Sequence, residues 1–583
     1  MNSAEQTQVS LRTVISERPV PELPVLLHEN PLVHRLLAAR GVETPEELHF
    51  SLASLPRPDS LMGIKAAVAR LMQARAQQER VLILGDYDCD GATSTSVALS
   101  GLRMLGFRQL DYLIPSRSKF GYGLAPAIVE VAKQRFQPQL IVTVDNGVAS
   151  VEGVERAREL GIDVLVTDHH LAPSVLPRAC AIINPTIPGS TFPAQNLAGV
   201  GVIFYTLLAL RAHLAALDDQ HGKAPLAQLL DLVAIGTVAD VVPLDRTNLI
   251  LVEQGLRRIR AGQTRPGVLA LLQSAGRSAQ SVATEDIGFG IGPRLNAAGR
   301  IDDMSRGVQC LLSDSAAEAT QLAANLDELN KQRRSIERDM HDSADQQLQK
   351  LDLHTFDGNQ TLSICLMDES WHEGVIGILA GRIKERLHRP TLIFTASDEH
   401  NLKGSARSIK GIHIRDVLQT IVARHPGMIE KFGGHAMAAG LTLPRKHFDT
   451  FTIAFEEAVS EAAGGYAKER EYLTDGALAA HERHLDNARL LNNMMPWGQE
   501  FEAPLFVDEF LVSQHKQVGK GHLKMTLGCP ETSEQYNAIA FNCQQSVSQG
   551  ELIRIVYALQ VNTWRDQQTL QLMIRHLEPA GLR

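Results

Sequence analysis

The chain has 583 residues, of which 44% are hydrophobic and 21% charged, the balance of an ordinary globular protein with room for about three or four domains. A net charge of −9 argues against a protein that coats nucleic acid non-specifically, yet leaves open a nuclease in which acidic metal ligands and basic grooves coexist. Six scattered cysteines, with no CxxC or Cys/His cluster, argue against a disulfide or zinc framework and for a reducing cytosol.

The opening MNSAEQTQVSLRTVISERP lacks a basic-then-apolar leader pattern, and no uninterrupted apolar run reaches the roughly 18 residues that would cross a bilayer. The expectation is a cytoplasmic protein. Residues 1–60 are Pro-rich. NPLVHRLLAARG (30–41) reads as a short helix with an N-cap, a Pro at its first position and a closing Gly, and TPEELHFSL (44–52) as a second.

From about 61 to 265 helix and strand alternate. IKAAVARLMQARAQQER leads into the strand VLILG, GATSTSVALSGLRMLGF is expected as a helix beginning right after the acids, and LDYLIPSR, QLIVTVDNG and DVLVTDHH follow as strands. Near-continuous Val/Ile/Leu strands separated by helices imply a parallel sheet covered on both faces, where ligands bind outside the carboxyl ends of the strands. The polar residues fall at those ends: Asp86, Asp88 and Asp90 after one strand, Asp145 after another, Asp168, His169 and His170 after a third. The helix in LAQLLDLVAIGTVAD delivers Asp240.

Residues 266–355 contain GPRLNAAGR and then, over 314–352, a stretch without Pro or Gly that reads as one long helix joining two bodies. Residues 356–455 return to mixed α/β. In 456–583 the period becomes two, as in a small all-β barrel.

Carboxylates are costly to bury unpaired, so several at matching strand ends need positive charge. A solvated Asp-rich turn accounts for one such stretch, but less readily for its recurrence. Oxygen ligands with a minority of imidazole suit Mg²⁺ or Mn²⁺, the histidine tilting the choice toward Mn²⁺. Two ions about 3.5–4 Å apart would use all the acids and suit in-line phosphoester hydrolysis.

DYDCDG (86–91), VDNG (144–147), DHH (168–170) and VAD (238–240) resemble the DHH phosphoesterase superfamily. GPRLNAAGR (292–300), WHEGVIG (371–377), SARS (405–408) and FGGHAMAAG (432–440) resemble more closely its branch of single-strand-specific exonucleases, and the motifs keep their order from about residue 60 onward. The resemblance implies an α/β fold: a parallel-sheet DHH domain, a second α/β DHH-associated domain joined to it by the long helix, and a C-terminal all-β OB-like domain.

The resemblance also implies roles. Asp88, Asp90, Asp145, His169 and Asp240 match metal ligands, Asp145 bridging two Mn²⁺ or Mg²⁺ ions; Asp86 matches a further ligand or base, Asp168 an orienting acid, and His170 a contact to the scissile phosphate. Arg294, Asn296 and Arg300 match phosphate contacts, as do Ser405, Arg407, Gly433, Gly434 and His435 in the second domain, where Lys403, Lys410 and Arg415 add positive charge. In the last domain Lys516, Lys520, His522 and Lys524 could line a basic groove, and Phe506, Phe510, Tyr536 and Phe541 are stacking candidates unless they fill the barrel core.

The implied activity is 5′-to-3′ hydrolysis of single-stranded DNA to mononucleotides, in recombination and mismatch repair, through a channel too narrow for a duplex. Single-strand-binding protein and a helicase are implied partners; a monomer away from membranes is the simpler expectation. An oligoribonuclease or cyclic-dinucleotide phosphodiesterase would not need the long helix or the β module. A non-catalytic single-strand-binding scaffold on the same fold would not keep the acids.

Overall fold

The computed structural model describes residues 13–116, 120–349, 361–464, 469–519, 521–543, 545–564 and 567–581. The first twelve residues read above for a leader, residues 350–352 of the expected long helix, and Lys520 lie outside the described residues. The chain forms two compact units, a larger one of Glu17–Asn330 with Thr474–Arg583 and a smaller one of Lys331–Leu473 with the chain up to Ser16.

The larger unit is built on five parallel strands in the order β3-β2-β4-β5-β6: β2 (Val81–Leu84), β3 (Leu110–Leu113), β4 (Leu140–Val144), β5 (Asp163–Thr167) and β6 (Ala181–Ile183); β1 (Thr13–Glu17) pairs elsewhere. Alternation explains why these strands are apolar throughout. Val81, Ile83, Leu140, Val142 and Val144 enter one core, whereas Leu82, Leu84 and Ile141 enter a second core on the other face.

The main helices up to residue 348 are α1 (Pro31–Ala38), α2 (Ile64–Gln77), α3 (Cys89–Met104), α4 (Pro126–Phe136), α5 (Val151–Glu159), α6 (Gly199–Ala216), α7 (Leu230–Ala239), α8 (Arg246–Arg260), α9 (Pro266–Ser274), α10 (Gly292–Ile301), α11 (Ser305–Leu312) and α12 (Ala316–Leu348). Helices α4 and α5 cover the second core and most of the others the first.

Two expectations are corrected. TPEELHFSL forms one 3-10 turn, Pro45–Leu48, and leads into another, Leu52–Ser54, rather than forming a helix. Helix α3 begins at Cys89, among the acids rather than after them. Helix α6 is, among the described residues, long and apolar enough to cross a membrane; Arg211 and His213 break the run in sequence, and Phe204, Tyr205, Leu207 and Leu210 lie in the core. The division between the units falls inside α12, so that helix belongs partly to each unit.

Helix α1 gives the Pro-rich segment a structural role. Leu32 and Leu36 enter the core of the C-terminal barrel, Val33 and Leu37 enter the core of the sheet, and Arg40 clamps the buried Asp475 through two hydrogen bonds of 2.8 and 3.0 Å.

In the smaller unit β7 (Ile364–Met367), β8 (Thr391–Ala396), β9 (Asn401–Arg407), β10 (Lys431–Gly434) and β11 (Ala438–Pro444) form a sheet in the order β10-β11-β9-β8-β7, and β12 (Arg470–Thr474) pairs with β1. The barrel strands β13 (Phe506–Val518), β14 (His522–Gly528), β15 (Gln535–Ala540), β16 (Leu552–Trp564) and β17 (Gln567–Pro579) close in the order β13-β14-β15-β17-β16 through the parallel pair β15–β17.

Candidate metal centre

The acids gather where β2, β4 and β5 end. Asp88 caps α3, its Oδ1 accepting the Gly91 N–H at 2.9 Å. Asp90, in the first turn of α3, accepts the N–H groups of Gly199 (2.7 Å) and Val200 (3.1 Å) and so sits at the N-terminus of α6, where the helix dipole favours a negative charge. Asp240 occupies the opposite situation as the C-cap of α7, where the dipole disfavours it. Asp145 follows β4 in the left-handed region at φ 63°, and Val241, next to Asp240, does so at φ 61°, a costly conformation for a β-branched residue.

His169 Nε2 lies 3.2 Å from Asp145 Oδ1 and 3.4 Å from Asp240 Oδ2, and these three atoms are buried without a hydrogen bond. Asp86, Asp88 and Asp145 form one cluster of converging donors; Asp90, His169 and Asp240 form a second; Asp145, His169 and His170 form a third. Burial, reinforced by neighbouring carboxylates, pushes the carboxyls of Asp90 and Asp145 well above the usual range. Burial also lowers His169, keeping it the neutral imidazole that can ligate. Buried acids that repel one another beside orphaned polar atoms are a poor resting arrangement for a metal-free protein. They are a good fit to a hard divalent cation with mixed oxygen and imidazole ligands.

Asp168 is different. Its Oδ1 accepts the His169 and His170 N–H groups (2.8 and 3.1 Å) and His170 Nδ1–H (2.7 Å), and its Oδ2 accepts the Val148 N–H (2.8 Å). Burial works against protonation of His170, but Asp168 with the nearby acids carries it up to about 9.

Several residues that hold the site carry no signal of their own in sequence. A Cβ on Gly199 would lie 2.5 Å from Asp145 Cβ, and one on Gly236 would lie 2.7 Å from Asp90 Oδ1, so glycine at both positions makes room for the acids. The Tyr122 hydroxyl donates to the Asp145 carbonyl at 3.1 Å and lies 2.9 Å from His170 Nδ1. Only the flanking Gly121 and Gly123, both at positive φ, hint at a constrained turn there.

The motif helix α10 docks on the acid loop: Asn296 Oδ1 accepts the Cys89 N–H at 2.7 Å, and a Cβ on Gly299 would strike the Tyr87 carbonyl at 1.6 Å. This revises the reading of Arg294 as a phosphate contact. The Asn296 carbonyl is spent on the loop, which leaves its Nδ2 amino group as the donor for a phosphate. Arg294 is turned inward, donating to the carbonyls of Gly290 (2.8 Å) and Ser274 (2.9 Å) and pairing with Asp327 at 2.7 Å. Arg300, in the last turn of α10, is half-buried.

In the smaller unit the register aligns Gly433, Gly440 and Ser405 across β10, β11 and β9, with Arg407 opposite Ala438. Arg407 Nη1 donates to the Ala406 carbonyl at 2.8 Å and the Ser405 hydroxyl at 3.3 Å; Gly434 is at φ 148°; the His435 N–H closes the hairpin onto the Ala438 carbonyl at 2.8 Å. Lys403 pairs with Glu373 at 3.1 Å, while Lys410 and Arg415 are exposed. In the barrel Phe506, Phe510 and Tyr536 are core, and Phe541 is exposed, its ring edge-on to His522 at 5.1 Å. Lys516 and Lys524 are exposed.

A parallel sheet whose strand ends gather carboxylates and a DHH turn is the architecture of a DHH phosphoesterase, and residues 80–237 match the DHH family, N-terminal domain, 359–461 the DHHA1 domain and 474–576 the RecJ OB domain. The chain is 45% identical to the single-stranded-DNA-specific exonuclease RecJ of Escherichia coli, over 99% of this chain and all of that one, and 36% identical to RecJ of Bacillus subtilis, over 95% of this chain and 69% of that one. The crystal structure of RecJ from Thermus thermophilus in complex with Mn²⁺ superposes with a TM-score of 0.78 at 27% identity, covering 97% of this chain and 80% of that one; the Mg²⁺ complex gives 0.72 at 26%, covering 97% and 78%. The chain belongs to the RecJ family of single-stranded-DNA-specific exonucleases.

Proposed function

We propose that this protein hydrolyses single-stranded DNA from its 5′ end to mononucleotides, in recombination and mismatch repair. The observation that carries the reading is the convergence of Asp86, Asp88, Asp90, Asp145, His169 and Asp240 on one sheet end with buried donor atoms left unsatisfied.

Asp88, Asp90, Asp145, His169 and Asp240 would hold Mn²⁺ or Mg²⁺, Asp145 shared between two ions. Bound there, the ions make water nucleophilic near neutral pH and offset charge developing on the phosphoryl oxygens. Asp86 lies beside this set as a further ligand or base. Asp168 fixes the ring of His170 through Nδ1–H and the backbone of His169 through its N–H, as outer carboxylates position the ligands of metal sites. His170, protonated against Asp168, donates to a phosphate oxygen. Arg300, with Ser405, Arg407, Gly433, Gly434 and His435, contacts backbone phosphates, and contacts confined to phosphate leave the sequence unread. Asn296 holds the acid loop through its carbonyl and offers its amide N–H to a phosphate, and Arg294 acts by positioning. A helicase that supplies strand and a protein that covers it are the fitting partners, in the cytoplasm.

The test is digestion of one single strand labelled at either end, with Mn²⁺, Mg²⁺ or EDTA and the blunt duplex as control. The expected result is immediate labelled mononucleotide from the 5′ end only, abolished by EDTA and absent on duplex. Hydrolysis confined to two- to five-nucleotide RNA would replace this reading with a small-substrate phosphodiesterase.

A further inference from the structure

We propose that Phe289 is a stacking platform for a base of the single strand, held out beside the acidic cluster by a clamped π-helical turn. The inference rests on the hydrolytic reading above and names how the strand is held near the site.

Phe289 is 68% exposed, the most exposed large apolar side chain among the described residues. It stands at the centre of the π-helix Ile287–Ile291, whose end residues Ile287 and Ile291 are fully buried, so both ends of the turn are anchored while its middle faces water. π-Helical turns are rare and concentrate at functional sites. Phe289 sits between glycines. A Cβ on Gly288 would meet nothing within 4 Å, and one on Gly290 would meet only Ala275 and Arg277. Neither neighbour carries a side chain that could crowd the ring.

The turn is braced from beneath. Arg294 donates to the Gly290 carbonyl at 2.8 Å while tied to Ser274 and Asp327, which accounts for a buried arginine in a motif read as phosphate-binding.

Position supplies the second argument. At Gly292, one residue past the turn, a Cβ would lie 3.5 Å from Ala239 Cβ, adjacent to Asp240, and α10 then runs on to touch the acid loop at Tyr87. Val241, on the other side of Asp240, is itself 62% exposed on a left-handed backbone. Two solvent-exposed apolar side chains thus flank this contact in sequence, Phe289 three residues before Gly292 and Val241 two after Ala239. Phosphates have no use for a phenyl ring, whereas every base has a π-face, and stacking holds strand without reading sequence.

The experiment compares wild type, Phe289→Ala and Phe289→Trp on an ordinary 5′-labelled strand and on the same strand with abasic residues near its 5′ end. Phe289→Ala is expected to raise KM about tenfold, toward the low end of what one base–aromatic stack is worth, with kcat at saturation and melting temperature unchanged. Phe289→Trp restores KM. On abasic strand wild type and Phe289→Ala converge to within about twofold, a convergence that a merely structural role would not produce.

An unchanged KM in Phe289→Ala, or a full-sized difference persisting on abasic strand, overturns the assignment. So does a defect seen only as lost stimulation by a protein partner, which would give the ring to that partner. If wild type cuts no single strand, the hydrolytic reading has failed. The same variants are then compared in equilibrium binding of a fluorescent single strand, where about tenfold weaker binding by Phe289→Ala supports the stack and equal binding overturns it.

Discussion

Two buried charged clusters in the larger unit solve the problem of burial in opposite ways. In the barrel Arg483 pairs with Asp508 at 3.0 Å, Tyr557 donates to the other Asp508 oxygen at 2.7 Å, the Leu478 N–H adds a bond at 3.2 Å, and the guanidinium lies over the Phe510 ring at 5.2 Å. Opposite charges cancel and both Asp508 oxygens are bonded. At the sheet end carboxylates outnumber the one protonated imidazole, donor atoms of Asp145, His169 and Asp240 lack hydrogen bonds, and Asp145 and Val241, next to Asp240, adopt left-handed backbone. The barrel cluster is complete as folded; the sheet-end cluster is complete only with something added. A buried polar group left unsatisfied in an otherwise well-bonded protein is a pointer to chemistry.

The sharpest way to break this contrast is Asp145→Ala. Hydrolysis is expected to fall at least about a thousandfold, since part of the charge stabilisation worth several kcal/mol goes with it. The metal-free melting temperature should stay level or rise, because one of several repelling carboxylates is gone. A fall of several degrees would show the acid to be a packing element instead.

Arg483→Met should do the reverse. Leaving Asp508 buried and unpaired costs about 3–5 kcal/mol, read as a lower midpoint in urea, with hydrolysis per folded molecule close to wild type. Gly199→Ala places a methyl against Asp145 and should weaken Mn²⁺ binding about 10–100-fold in a calorimetric titration, the usual cost of disturbing what supports a ligand. Equal affinity would mean that the acid is not held by this contact.

The smallest effect is expected from Val241→Gly. Relief of the left-handed conformation should add about 0.5–1 kcal/mol of stability while lowering activity. Gain of both would mean that the strain has no function.

Much of this was legible in the sequence because the acids come in short, unusual runs. DYDCDG and DHH are each contiguous, and the apolar strands before them placed them at one sheet edge. What was hidden depended on contacts between distant segments. Gly199 and Gly236 look like any helix glycine until Asp145 and Asp90 arrive from 54 and 146 residues away. Arg294 was misread because a cation in a basic motif carries the same letters whether it faces a phosphate or a buried carbonyl. The barrel aromatics resolved by geometry alone: period-two alternation marks faces but not which face closes inward, and three of the four candidates turned in.

The unsatisfied atoms at the sheet end also tie the lifetime of the folded chain to its supply of divalent ion. A ligand bound only by the native state stabilises it by RT ln(1 + [M]/Kd), about 2.7 kcal/mol at a hundred times Kd. Where opening is fast relative to cleavage, protease sensitivity tracks the open population, so that increment is roughly a hundredfold in survival. Starved of manganese or magnesium, the protein is both idle and exposed to turnover, and its abundance becomes a readout of the ion that it uses. Digestion by a metal-independent protease, in Mn²⁺ against EDTA, measures that coupling directly; equal half-lives would dissolve it.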